Sequence, residues 1–217
     1  MIIWLASFPR SGNSFFREVS RNYFGREVYS IYQEKKASVD STELQRMALD
    51  TEAYVVKTHE MPVDSNHSMY LVRDGRDALV SLTWYNLTSH LEPGRKVSDD
   101  EYAEALKAEI LSDRYGGWSG NILAWTARQE KTVIVKFEEL IANPEQVVAD
   151  AFEMVGLPRH LRNGVPKVPS FDELHSRNPH LYRKGKVGGW QTQFPDDLHD
   201  LFWEKHGNAM ETLGYAR

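Results

Sequence analysis

A run of polar residues near the start of the chain has the composition of an anion-binding loop. The run FPRSGNS, residues 8–14, follows the apolar stretch Ile2 to Ala6 and precedes an amphipathic stretch from Ser14 to Tyr23. It therefore lies where a buried strand would pass into a helix. The N–H groups and dipole at a helix N-terminus attract phosphate or sulfate, and glycine lets the backbone approach the anion closely. The alternative is a tight turn in which Ser or Asn caps the helix.

A second stretch, YLVRDGRDALVS at residues 70–81, combines a cation and a hydroxyl that could face one bound group. Arg73 falls at the end of a predicted strand, and Ser81 lies two turns into the helix that follows. Taken alone, the stretch is explained more simply by an ion pair that joins Arg73 or Arg76 to Asp74 or Asp77.

A third stretch, LYRKGKVGGW at residues 181–190, is rich in glycine and in cations. This composition is typical of a loop that binds an anion. It is equally typical of an ordinary solvated loop, and the stretch by itself leaves both interpretations open.

The elements that must position these stretches alternate between strands and helices along the chain. Such alternation indicates a parallel sheet covered by helices, and 217 residues suit one α/β domain. The predicted strands are residues 2–6, 54–58, 69–72 and 132–137. The predicted helices are residues 14–23, 75–87, 99–112, 117–129 and 144–156. The stretch from 33 to 53 is charged and only weakly helical.

Composition excludes several classes of protein. The chain has no cysteine, so disulfides and thiolate metal sites are excluded. A formal net charge of −5 argues against a general nucleic-acid binder. No apolar run approaches the length of a membrane span, and the first residues lack the basic region of a signal peptide. We therefore expect a cytoplasmic protein without a membrane span.

Together, the three stretches resemble the sulfotransferase family that uses 3′-phosphoadenosine 5′-phosphosulfate (PAPS). In that family Y-P-K-S-G-T-T-W holds the 5′-phosphosulfate, and Y-L-x-R-x-x-x-D-x-x-x-S binds the 3′-phosphate. The motif R-K-G-x-x-G-x-W closes over the nucleotide, and K-T-H carries the catalytic base. The matching positions are Phe8, Pro9, Arg10, Ser11, Gly12, Asn13, Ser14 and Phe15; Lys57, Thr58 and His59; Tyr70, Leu71, Arg73, Asp77 and Ser81; and Arg183, Lys184, Gly185, Gly188 and Trp190.

The resemblance implies one sulfotransferase domain over residues 1–217, with a P-loop-like phosphosulfate-binding loop after the first strand of a central parallel sheet. It implies transfer of the sulfuryl group from PAPS to a hydroxyl or amine of a small-molecule or glycan acceptor. The product would be 3′-phosphoadenosine 5′-phosphate (PAP), and no metal would be needed. The nucleotide-binding residues that it implies are Pro9, Arg10, Ser11, Gly12, Asn13, Ser14, Phe15, Arg73, Ser81, Phe137, Ser170, Phe171, Arg183, Lys184 and Gly185.

The resemblance also implies catalytic roles. His59 is the expected base, because an imidazole titrates near neutral pH and can take the acceptor proton. Arg10 would stabilise charge on the bridging oxygen, and its guanidinium is too basic to act as a general acid. Lys57 would supply a second cation near the sulfuryl group. The transfer itself would be in-line and loose, as in phosphoryl transfer.

The sequence departs from the family pattern in ways that leave other functions open. Arg10 replaces a lysine, Phe15 replaces a tryptophan, and Phe137 replaces a tyrosine in a K-Y-E-D-L type motif. The Lys-rich dimerisation motif of many members is not recognisable. The alternatives are a nucleotide-binding sensor or a kinase with a degenerate P-loop, although no Walker pattern is present. Six residues could either line an acceptor pocket or fill a helical core: Trp84, Tyr85, His90, Tyr102, Tyr115 and Trp118.

Overall fold

The computed structural model describes residues 1–34, 37–89, 92, 95–158, 169–179, 181–183 and 185–217. Its described residues fall into two compact units. The first consists of residues 1–72 and the described part of 124–168, and the second consists of residues 73–123 and the described part of 169–217.

A five-stranded parallel sheet forms the centre of the first unit. Its strand order is β2-β3-β1-β4-β5, with β1 and β4 buried along their whole length. Burial on both faces explains why these two strands are continuous apolar runs rather than alternating ones. The strands are β1 Ile2–Ser7, β2 Val28–Ser30, β3 Tyr54–Thr58, β4 Ser68–Val72 and β5 Thr132–Lys136. The predicted fold class, a parallel sheet flanked by helices, is confirmed.

Helices that follow the strands complete the first unit. They are α1 Asn13–Phe24, α2 Ser41–Leu49, α6 Phe137–Ala142 and α7 Pro144–Met154. α1 and α7 pack together through aromatic rings: Phe152 meets Phe16 and Phe24 edge-on at centroid distances of 5.7 and 5.4 Å. This packing fixes α1, and therefore the loop that precedes it, relative to β5 and α7.

The second unit is helical. It contains α3 Gly75–Thr88, α4 Asp99–Leu111, most of α5 Gly117–Thr126, α8 Phe171–Arg177 and α9 His199–Thr212. A Cβ on Gly75 would lie 2.8 to 2.9 Å from the buried indole of Trp118, so only glycine fits at the start of α3. Short 3₁₀ turns occupy residues 114–116, 189–192 and 196–198 of this unit, and residues 129–131 form another in the first unit.

Several predicted boundaries were wrong, for local reasons. Phe137 begins α6 instead of ending a strand, and α5 ends at Thr126 rather than at residue 129. The three-residue strand β2 was missed, because so short a segment has no readable periodicity. Helix α9 was not predicted at all. The assignment of all 217 residues to one domain stays a prediction.

The aromatic residues between the second motif and β5 differ in how far they are buried. Tyr102 and Trp118 are buried in the second unit, and Trp84 stacks on Tyr102 at 4.8 Å. Tyr85 is 38% exposed. His90 lies outside the described residues. In the part of the chain that the structure describes, no helix has the length and apolar character needed to cross a membrane.

Candidate functional site

The loop between β1 and α1 turns tightly through two left-handed residues. Arg10 has φ 68° and Gly12, the N-cap residue of α1, has φ 100°. This conformation costs Arg10 about 1–2 kcal/mol, because its Cβ crowds the backbone. A Cβ on Gly12 would lie 2.7 Å from Cδ2 of Phe137. Phe137, predicted to bind nucleotide, therefore packs against the loop backbone and shapes it.

The N-cap residue of α1, Gly12, makes no side-chain cap, and the first turn contains no acidic residue. Asn13 lies inside the helix, where its Nδ2 donates to the carbonyl of Leu5 and to Oγ of Ser7, at 3.2 and 3.3 Å. The loop does turn tightly, as the alternative expected, but neither Ser nor Asn is the N-cap residue. The positive end of the helix dipole faces this loop.

Ser11 adds a buried donor to this corner. It is 1% exposed, and its hydroxyl has no hydrogen-bond partner among the residues that the structure describes. Buried polar groups without partners are uncommon in folded proteins, and a bound ligand would give this hydroxyl the partner it needs. Pro9 and Phe15 are buried beside it, and Ser14 is half-buried in the first turn of α1. The corner suits a phosphate or sulfate group.

His59 lies just beyond β3 and is held from two sides. Its ring stacks on Tyr32 at a centroid distance of 5.3 Å, and its backbone N–H donates to the Tyr32 hydroxyl at 2.7 Å. Nδ1 lies 2.7 Å from the carbonyl oxygen of Ser7. Because a carbonyl oxygen only accepts, Nδ1 carries the proton in this hydrogen bond. In the neutral ring, Nε2 is therefore the basic nitrogen.

Lys57 is engaged in a partly buried charge cluster that the sequence did not reveal. Its Nζ lies 2.6 Å from Oε1 of Glu34, and the Arg17 guanidinium contacts the other oxygen of that carboxylate at 2.5 Å. Burial raises the pKa of Glu34, but the hydrogen bonds from Lys57 and Arg17 outweigh it and lower the pKa to about 2. Burial lowers the pKa of Lys57. Its predicted role near the sulfuryl group stays a prediction.

In the second unit, the start of α3 holds the predicted ion pair. Asp74 caps α3 by accepting the N–H of Arg76 at 2.9 Å, and it binds the guanidinium of Arg76 at 3.0 and 2.8 Å. That guanidinium lies 3.8 Å from the centroid of the Trp190 ring. The Arg76–Asp74 pair is thus confirmed, although both residues are buried rather than on the surface.

Two guanidinium groups of the same unit, those of Arg73 and Arg183, interact electrostatically. Nη2 of Arg73 donates to the carbonyl of Lys186 at 3.0 Å, and Nη1 of Arg183 donates to Oε1 of Gln193 at 2.9 Å. Burial lowers the pKa of Arg183, and the nearby charge of Arg73 lowers it further. Like charges brought together under partial burial are typical of a site built for an anion.

The other predicted nucleotide contacts in this unit have mixed outcomes. Ser81 is buried in α3, and Gly185 adopts a left-handed φ of 57°. Ser170 caps α8, accepting the N–H of Glu173 at 3.2 Å. Phe171 begins α8, but its side chain and the whole of Lys184 lie outside the described residues. The predicted nucleotide contacts of Ser170 and Phe171 stay predictions.

The first unit also contains an apolar cavity of about 350 Å³ that the sequence did not reveal. Thr58 and Glu60, which flank His59 in the chain, are among its lining residues. The others are Ile2, Trp4, Ile31, Leu44, Gln45, Ala48, Met61, Val63, Asp64, Asn66 and Trp125. Most of its exposed wall is apolar, so the cavity suits a small apolar molecule. Within the described ranges, no three His, Asp or Glu side chains come together as metal ligands would.

The fold and the anion-binding corner define an α/β protein with a P-loop-like arrangement of strand, loop and helix. The sulfotransferase domain family matches residues 2–214, and the chain belongs to that family. The resemblance noted in the sequence is therefore confirmed.

Individual relatives are distant. Mouse sulfotransferase 1E1 is 21% identical over 95% of this chain and 82% of its own length. Mouse sulfotransferase 1B1 is 24% identical over 64% of this chain and 55% of its own length.

Solved structures share the fold. Mouse sulfotransferase SULT7A1, complexed with PAP, has a TM-score of 0.72 and 21% identity, covering 98% of this chain and 84% of its own. Retinol dehydratase, in complex with androsterone and inactive cofactor PAP, has a TM-score of 0.61 and 15% identity, covering 100% of this chain and 82% of its own. Since both identities are low, this likeness shows the fold.

Proposed function

We propose that this protein is an enzyme that transfers the sulfuryl group of PAPS to a hydroxyl or amine of a small-molecule acceptor. The observation that carries the proposal is the β1–α1 corner, where Gly12 gives α1 no side-chain cap and the buried Ser11 hydroxyl has no partner among the described residues. Such donors at a helix N-terminus suit an anion, and membership of the sulfotransferase family supports a sulfate-bearing one.

The residues present fit the donor nucleotide. Two anionic groups on PAPS need two separate sets of donors, and the chain has two: the 8–15 segment and the Arg73–Arg183 pair. In the proposed complex, the 5′-phosphosulfate is held by Pro9, Arg10, Ser11, Gly12, Asn13, Ser14 and Phe15. The 3′-phosphate is held by Arg73, Ser81, Arg183, Lys184 and Gly185, and the resemblance assigns Phe137, Ser170 and Phe171 to the same nucleotide-binding set. PAPS supplies the activated sulfuryl group.

His59 is the proposed general base. The Ser7 carbonyl holds the proton on Nδ1, so Nε2 accepts the proton of the acceptor group. As that proton leaves, the acceptor atom bonds to sulfur, and the sulfur–oxygen bond to the 5′-phosphate breaks. The leaving group is PAP.

Arg10 and Lys57 supply positive charge in this scheme. Arg10 stabilises the negative charge that develops on the bridging oxygen, and its guanidinium keeps its proton throughout. Lys57 already neutralises Glu34, so it acts as one member of a charge cluster rather than as a lone cation.

The acceptor is proposed to be a small, largely apolar molecule. The support is the composition of the apolar cavity in the first unit; Thr58 and Glu60 line it, whereas His59 itself does not. A volume of about 350 Å³ lies at the lower end of the range for ligand pockets and is too small and apolar to suit a glycan chain.

The test is a transfer assay with ³⁵S-labelled PAPS and a panel of apolar alcohols, phenols and amines, with PAP release as a second readout. Labelled product with any acceptor supports the enzyme. Tight PAP binding without transfer to any acceptor would support a nucleotide sensor instead. Ala48→Trp, which fills part of the cavity wall, should exclude the larger acceptors and spare the smallest.

A further inference from the structure

Asp77, in the first turn of α3, forms hydrogen bonds with a segment of the same unit that lies more than a hundred positions away along the chain. Its Oδ2 accepts the backbone N–H of Gly188, and its Oδ1 accepts the backbone N–H of Trp190, both at 2.8 Å. The Asp77 side chain is only 3% exposed. Two charge-assisted hydrogen bonds in buried surroundings fix residues 188–190 against the start of α3.

The same carboxylate lies beside the guanidinium pair. Arg73 Nη2 is 3.8 Å from Asp77 Oδ2 and 3.0 Å from the carbonyl oxygen of Lys186. Arg183 interacts electrostatically with both Arg73 and Asp77. Arg73 therefore binds the segment 186–190 at Lys186, and Asp77 binds it at Gly188 and Trp190. Arg183 precedes Lys186 by three residues.

Charge alone does not account for a carboxylate at this place. Burial raises the pKa of Asp77, which means that its charged form is costly there. Its negative charge also weakens the attraction of Arg73 and Arg183 for a phosphate. A neutral residue would leave a more positive site, so the useful contribution of Asp77 is the geometry that its two oxygens impose.

We propose that Asp77 is a positioning residue for the 3′-phosphate, which sets Arg183 relative to Arg73 by holding the backbone of Gly188 and Trp190. This proposal rests on the proposed PAPS-dependent function. Asp77 need not touch the nucleotide in this role.

Asp77→Asn tests the proposal, because the amide keeps the shape but offers one acceptor oxygen instead of two. Calorimetry should show PAP binding about tenfold weaker, as expected for the loss of one charged hydrogen bond, with binding of adenosine 5′-phosphate changed less than about twofold. The control is Asp40→Asn, which removes a carboxylate that caps α2 and accepts the N–H of Glu43 at 2.8 Å. That variant should keep the wild-type preference for PAP.

Whether Asp77→Asn weakens or tightens PAP binding distinguishes a positioning role of Asp77 from a purely electrostatic one. If Asp77 only reduced positive potential, Asp77→Asn would bind PAP more tightly, and that result would overturn the proposal. Equal losses for PAP and for adenosine 5′-phosphate would also overturn it, because they indicate a general structural role. A wild-type protein that binds the two nucleotides equally would instead contradict the proposed function itself.

If Asp77→Asn does not fold, a measurement on the wild-type protein tests the proposal instead. Amide hydrogen exchange by NMR should show the Gly188 and Trp190 amides protected by at least about tenfold without nucleotide, since both donate to a buried carboxylate. Exchange of both amides at the rate of an open loop would contradict the proposal.

Discussion

A strand passes into a helix at two corners, β1–α1 and β4–α3. The first N–H groups of each helix need hydrogen-bond acceptors, and the two corners differ in whether the protein supplies them. α3 is capped by its own Asp74, whose carboxylate also binds Arg76. α1 has glycine as its N-cap residue and no acidic residue in its first turn. The first arrangement stabilises the protein by itself, whereas the second leaves donors for a ligand.

The largest expected effect is that of His59→Ala on turnover. Removing the base should lower the turnover number by about 10²–10⁴, whereas PAPS affinity should stay nearly intact because a base contacts the acceptor. Steady-state kinetics and calorimetry measure the two quantities separately. His67→Ala, which removes a histidine outside every motif, should retain wild-type turnover. Transfer by His59→Ala at the wild-type rate would contradict the mechanism.

Arg10→Ala should damage both binding and turnover, since Arg10 belongs to the β1–α1 corner and, in the proposed mechanism, contacts the donor before and during transfer. A rate loss of about 10²–10³ is expected, the usual effect of losing a preorganised electrostatic group. Arg10→Lys restores the residue typical of the family and keeps the charge, although it loses the planar fork. It should stay within about tenfold of wild type, on the order of 1.4 kcal/mol. A lysine variant as inactive as the alanine variant would show that the fork geometry is essential.

At the β4–α3 corner, Arg73 is proposed to bind the ligand and Arg76 to stabilise the fold, and a matched pair of variants tests this difference. Arg73→Gln should weaken PAP binding by about 10- to 100-fold and reduce the preference for PAP over adenosine 5′-phosphate. Arg76→Gln leaves the buried Asp74 without its guanidinium partner, so it should lower the free energy of unfolding by about 3–5 kcal/mol. Its preference for PAP should stay as in wild type. If both variants lost the preference for PAP, the distinction between a ligand-binding Arg73 and a structural Arg76 would be wrong.

Gly12→Ala should have the smallest effect among these changes, on stability. The new methyl group would face Phe137 at 2.7 Å, and the backbone would keep an unfavourable φ of 100°. We expect a loss of about 1–3 kcal/mol in the free energy of unfolding, measured by urea denaturation. Gly120→Ala is the control: no atom lies within 4 Å of the added Cβ in α5, so it should stabilise the protein by about 0.5–1 kcal/mol. A Gly12→Ala variant as stable as wild type would show that the loop relaxes.

The candidate site was easier to predict from the sequence where its residues lie in one continuous segment. Residues 8–14 contain both the turn and its donors, so local composition indicated an anion-binding corner beside the alternative of a tight turn. The pairing of Lys57 with Glu34 was not predictable, because the partners lie 23 positions apart and no motif contains Glu34. The same holds for Asp77 and the amides of Gly188 and Trp190, which are more than a hundred positions apart along the chain.

The sequence by itself determined the parallel sheet and the family. Continuous apolar runs in β1 and β4 require burial on both faces, and four motifs in a fixed order are readable without coordinates. Only the tertiary structure decided which hydrogen-bonding groups remain for a ligand. Whether Ser11 lacks a partner, whether Asp74 caps α3, and which nitrogen of His59 carries the proton depend on atoms brought together across the fold. Hydrogen bonds are short-range and directional, and sequence spacing does not specify such contacts between distant residues.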